Sequence, residues 1–157
     1  MDHMKHRSWI AFSGFLWFFI GFSLLYKGIK LITEAAFSVH SLSFSMRDTF
    51  GSPQQAATIF IALGLLIGFI KGRFVLVKTV RRVVTRISNL SLPIRLSQVY
   101  APSYWLLIGS MVALGMSFRF LPIPIDIRGM IDIAIGSALI NGAMLYFRAA
   151  RTIQIAS

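Results

Sequence analysis

Residues 54–87 read QQAATIFIALGLLIGFIKGRFVLVKTVRRVVTRI, a stretch without proline whose first half is apolar and whose second half gains a cation every few positions. With its flanks, the apolar part, Ala56 to Ile70, is long enough to cross a hydrocarbon layer of about 30 Å as a helix rising about 1.5 Å per residue. Nothing in the residues that follow stops a helix. One helix is therefore expected from about 54 to 87, in lipid over 54–72 and emerging into the cytoplasm as a basic amphipathic extension. At about 100° per residue, Lys71, Lys78, Arg81, Arg82 and Arg86 gather on one side of that extension. Leu76, Val77, Val80, Val83, Val84 and Ile87 gather on the other, and Arg73 falls among them, where it has to snorkel.

Composition agrees with lipid as the solvent. Of 157 residues, 56% are apolar and 13% charged, whereas soluble domains are about 25% charged; the mean hydropathy is +0.73. The net charge of +11 would raise the question of nucleic acid in a soluble protein, but the cations stand beside apolar runs and no base-reading motif is present. That placement suits anionic lipid headgroups instead. The chain has no cysteine, which removes disulfides, thiolate metal sites and cysteine nucleophiles from consideration. His3 and His6 are expected in a polar tail and His40 in a loop, outside every apolar run, so no haem-binding histidine pair is expected.

Outward from the deciding stretch, three more apolar runs complete an all-α fold: a polytopic membrane protein, a compact single-domain bundle of four transmembrane helices. The first span covers about 9–30 and reads as an uncleaved helix, since no small-x-small cleavage pattern follows it. Residues 33–53 are a loop with room for an interfacial helix. Pro93 and Pro102 mark a connection along the membrane surface, and Tyr100, Tyr104 and Trp105 form an aromatic belt before the third span, about 104–121. The fourth span, 129–147, follows Pro122 and Pro124, with Asp126 as its expected N-cap.

Four spans place both termini on one side, and the basic residues choose the side. Lys5, Arg7, the 71–103 stretch, Arg148 and Arg151 lie on the terminal face; Lys27, Lys30, Arg47, Arg119 and Arg128 lie on the other. Both termini are therefore expected in the cytoplasm, the membrane being of the bacterial inner type, rich in phosphatidylglycerol and cardiolipin. No acid occurs between Asp48 and Asp126, so the cytoplasmic middle of the chain is unopposed positive charge.

Small residues recur at helical spacing in every span: Gly14, Gly21 and Gly28; Gly64, Gly68 and Gly72; Gly109, Ala113 and Ser117; Ala134, Ala138 and Gly142. In lipid such faces let helices approach closely, within the bundle or between copies. A faint echo between Ile61-Ala-Leu-Gly64 and Ile133-Ala-Ile-Gly136 would fit two hairpins related by a parallel repeat.

Chemistry has few carriers. Asp132 is the one carboxylate expected inside a span, a position that is costly and marks a functional candidate. Arg128, one turn before it, or Arg119 of the neighbouring span would pair with it. Asn141 lies nine positions on and faces the opposite way. Ser13, Ser23, Thr58, Ser110, Ser117 and Ser137 can bond to the preceding turn. No nucleophile elbow, phosphate loop or metal-ligand cluster is present, and no cofactor is expected. The reading is a non-catalytic scaffold or accessory subunit, a homo-oligomer or part of a membrane complex, that binds anionic lipid through Lys71, Lys78, Arg81, Arg82 and Arg86. The alternative is a small transporter or channel with Asp132 as its proton or cation site. An enzyme acting on lipid phosphates lacks a general base and acidic metal ligands.

Overall fold

The computed structural model describes residues 2–89, 109, 113, 116–117 and 120–155, and among them every regular element is helical. Helix α1 is Asp2–Ala35, α2 is Leu42–Ser45, α3 is Arg47–Phe50, α4 is Pro53–Ser88 and α5 is Ile125–Ile155. Three of these, over His6–Ala35, Pro53–Ser88 and Ile125–Thr152, are long and apolar enough to cross a membrane. The expected third span, 104–121, falls largely outside the described residues, as do the 90–103 connection, Tyr100, Tyr104, Trp105 and Arg119. Residues 109, 113, 116 and 117 have helical backbone.

The long helices start and stop where local chemistry dictates. Ser52 caps α4, its Oγ accepting from the Gln55 amide at 3.2 Å, with Pro53 in the first turn, where its missing N–H costs nothing. The turn before it needs a positive φ of 85° at Gly51, which glycine adopts without a steric penalty. From there α4 runs unbroken to Ser88. The N-terminal residues, expected as a polar tail, belong to α1, and His6 lies on that helix. The 33–53 loop is shorter than expected: α1 continues to Ala35, and two one-turn helices fill the rest. Ser41 opens the first of these by accepting from the Phe44 amide at 3.1 Å.

Helix α5 is the centre of the bundle, with α1 on one side and α4 on the other. A Cβ on Gly28 would strike Gly129 and Ile133, one on Gly21 would strike Gly136 and Leu139, and one on Gly14 would strike Tyr146 and Phe147. Rising numbers on α1 meet falling numbers on α5, so these two are antiparallel. On the other flank Gly64 meets Met130 and Ile133, Gly68 meets Ala134 and Ser137, and Gly72 meets Ala138 and Asn141, so α4 and α5 run parallel. Glycines at these seam positions let backbones approach closely, the source of helix association in lipid, where apolar burial gives little drive.

Two clusters of buried side chains lie at the ends of the seams. Ile10, Val80, Val83, Ile87, Tyr146 and Ala150 meet at the end holding the N-terminus, with Trp9, Trp17 and Leu145 packed around them. Ile32, Ala36, Ala57 and Ile133 meet at the loop end. Outside these seams the helices present bare apolar side chains, among them Phe15, Phe19 and Phe22 of α1 and Leu66, Phe69 and Phe74 of α4. In water such a surface would drive aggregation; lipid chains are its natural solvent.

Candidate functional site

The apolar face expected on the second half of α4 is the face that packs. Val80, Val83 and Ile87 are buried, while Lys71, Arg73, Lys78, Arg81, Arg82 and Arg86 are all exposed. The extension does not emerge alone, however, because α1 and α5 accompany it to its end through the cluster around Ile10 and Tyr146.

That company brings to one level arginines that the sequence assigned only to a common face. Arg81, Arg82 and Arg86 stand beside Val80, Val83 and Ile87; Arg148 and Arg151 flank Ala150; Arg7 lies one turn from Ile10. All six guanidinium side chains are exposed. They ring one end of the bundle as a collar. Trp9 sits at the same level, packed edge to face with Phe12 at 6.1 Å between ring centroids, as an indole at a membrane interface would. Arginine forks match phosphate oxygens two bonds at a time.

Lys71 and Arg73 are at another depth. They flank Gly72, which packs on Ala138 and Asn141, while Gly21 of α1 packs on the neighbouring Gly136, Leu139 and Ile140. Leu76 and Trp17 meet at Gly142. Leu76 is thus level with Trp17, while Lys71 and Arg73 lie near the level of Gly21, directly after the apolar run Ala56 to Ile70.

At the loop end three cations pair with carboxylates, while Arg128 has no ion pair among the described residues. Asp132 Oδ2 lies 3.1 Å from Lys27 Nζ on α1. The partner expected for Asp132 was Arg128, or Arg119, which lies outside the described residues. Lys27 takes that place because the antiparallel seam brings it level with Asp132, near Gly28. Lys30 pairs with Glu34 at 3.8 Å and Arg47 with Asp48 at 3.6 Å. Asp126 is not an N-cap: the helix already begins at Ile125, and Asp126 is fully buried in its first turn. Its Oδ2 accepts from the Ser43 amide at 2.7 Å and from the Ser43 hydroxyl. The carboxylate thereby fastens the 36–52 loop to α5.

Asp126 Oδ1 is buried without a hydrogen-bond partner among the described residues, whereas several hydroxyls bond to backbone carbonyls. Thr58 and Ser117 bond back to Gln54 and Ala113 carbonyls at 2.9 and 2.8 Å. Ser137 instead crosses to the Leu65 carbonyl at 3.3 Å, an interhelical bond that the close approach at Gly68 permits. Asn141 donates to the Ser137 carbonyl at 3.0 Å and faces α4, away from Asp132. Of the small-residue faces, Gly64, Gly68, Gly72, Ala134, Ala138 and Gly142 lie in the seams. Gly109 would meet nothing within 4 Å and Ala113 is exposed. No group of acids and histidines able to hold a metal occurs among the described residues. Comparison of the chain with protein-family models, with curated proteins and with solved structures found no match.

Proposed function

We propose that this protein is a non-catalytic membrane scaffold or accessory subunit whose arginine collar holds anionic lipid on the cytoplasmic side of a bacterial-type inner membrane. The single observation behind this reading is the convergence of Arg7, Arg81, Arg82, Arg86, Arg148 and Arg151, from three helices, around the Ile10–Val83–Tyr146 cluster. Cations that far apart in sequence meet at one level only if the helices share a depth in the membrane. Cytoplasmic termini follow from the same residues through the positive-inside rule.

The scaffold has four crossings. In support, α4 and α5 run parallel, so Asn89 leaves at the collar end and Ile125 begins at the loop end. The chain between them has to return across the layer, and in lipid a crossing has to be helical. Residues 104–121 are the apolar stretch available for it. Asp132 serves structure in this scheme, because its pairing with Lys27 ties α1 to α5.

The test is native mass spectrometry of the protein released from vesicles of mixed phosphatidylcholine and phosphatidylglycerol. The wild type should retain phosphatidylglycerol several-fold over its share of the bilayer. Replacement of Arg82, Arg148 and Arg151 by Gln should bring retention down to that share. An identical lipid profile for the two proteins would remove the collar reading.

A further inference from the structure

The register of α4 against α5 narrows the kind of lipid that the collar fits. Gly72 packs on Ala138 and Leu76 on Gly142, four residues later on each helix, so the two parallel helices advance in step. Ten residues beyond Gly72 and Ala138 stand Arg82 and Arg148, which are therefore level. Val83 and Ala150 keep the same register in one buried cluster, and Arg151 follows within a turn.

Successive residues of a helix diverge by about 100°. With Val80, Val83 and Ile87 turned into the bundle, Arg81 and Arg82 stand on opposite flanks of α4, both exposed. Whichever flank of α5 Arg148 and Arg151 take, an arginine of α4 shares it. None of these four has an ion pair among the described residues. A phosphodiester has two free oxygens, which one guanidinium fork engages in full. A second fork on a neighbouring helix, its axis about 8–10 Å away, is left for a second phosphate. Two phosphates in one molecule meet both forks, and the second engagement is intramolecular.

We infer that Arg81 and Arg82 of α4, with Arg148 and Arg151 of α5, form a site for a lipid of the cardiolipin type, whose two phosphodiesters are joined by one glycerol, with one phosphate on each helix. The inference rests on the collar reading and narrows it. A lipid is favoured over a soluble diphosphate by what lies beside the arginines. Phe74 and Val75, two turns before Arg81 and Arg82, and Met144, one turn before Arg148, are exposed apolar side chains on the same helix faces, where acyl chains find contact.

The experiment is native mass spectrometry of the full chain released from phosphatidylcholine vesicles that hold phosphatidylglycerol and cardiolipin in equal mole fraction. The wild type should retain cardiolipin about tenfold over phosphatidylglycerol. In the Arg148→Gln/Arg151→Gln variant, which empties α5, the preference should fall to about twofold, the ratio that phosphate count alone gives. The Lys71→Gln/Lys78→Gln variant loses as many charges away from the pairing and should keep the wild-type preference. An equal loss of preference in both variants would overturn the inference by making net charge its cause. A preference of about twofold in the wild type would overturn it whether or not the variants fold. Inorganic pyrophosphate added in excess should leave cardiolipin in place; pyrophosphate retained instead of cardiolipin would overturn the inference by making a soluble diphosphate the ligand. Retention of both lipids at their bilayer share would remove the collar reading and this inference with it, whereas retention of both above that share, in the ratio of their phosphates, removes the inference alone.

Discussion

The two ends of the bundle handle charge in opposite ways. At the loop end, Lys27, Lys30 and Arg47 each have a carboxylate within 4 Å, and Asp126 is held by Ser43. At the collar end six arginines are gathered, and of the chain's five acids only Asp2 lies on a helix at that end. Matched charges satisfy each other and fix geometry. On the proposed reading the loop end holds the fold and the collar end meets something outside the chain.

If that division is right, substitutions at the loop end should be felt in stability. The largest effect is expected for Asp126→Ala. The carboxylate is fully buried and accepts two bonds from Ser43, which is itself buried, so its removal strands two donors away from water. Loss of charge-assisted bonds of this kind costs about 2–4 kcal/mol. Unfolding in detergent followed by circular dichroism measures it, and a cost below about 0.5 kcal/mol would mean that the loop is not fastened by this contact.

A smaller cost is expected for Asp132→Asn. The pair with Lys27 is uneven, its side chains 18% and 58% accessible, and the lysine is free to turn towards headgroups once its partner is neutral. Solvent and headgroup screening reduce such a pair to about 1 kcal/mol. The same variant decides the transport alternative: reconstituted vesicles should show no proton-linked flux with either wild type or variant. Flux in the wild type that disappears in Asp132→Asn would move the loop end from structure to function.

How much of this was legible in the sequence depends on the geometry each feature needs. The continuity of α4 from Pro53 to Ser88 and its sidedness follow from helical spacing alone, because both are properties of one helix. The glycine repeats at four and seven residues likewise announce contact faces. What spacing cannot give is the register of one helix against another. Lys27 as the partner of Asp132 and the level at which arginines of α1, α4 and α5 meet both depend on which residue of α5 sits beside which glycine. The Ser43–Asp126 contact spans 83 positions, and a buried aspartate two residues after Pro124 looks in sequence like a helix cap. Sequence thus located the basic surface on α4 but not the level at which arginines of α1 and α5 join it.

The smallest effect on intrinsic stability belongs to the collar, and it sharpens the comparison most. Arg82→Gln together with Arg151→Gln removes two exposed cations from a crowded ring, so in phosphatidylcholine the change should stay within about 0.5 kcal/mol, with relief of repulsion offsetting any lost packing of the side-chain stems. A ligand that binds the folded state stabilises it by mass action. Added phosphatidylglycerol should therefore raise the melting temperature of the wild type and raise that of the variant much less. Such a pattern, unchanged stability without the lipid and a lost response with it, separates an anion-binding surface from a structural one. An equal rise in both proteins would mean that the arginines orient the chain in the membrane and hold no lipid, and the contrast between the two ends would reduce to topology.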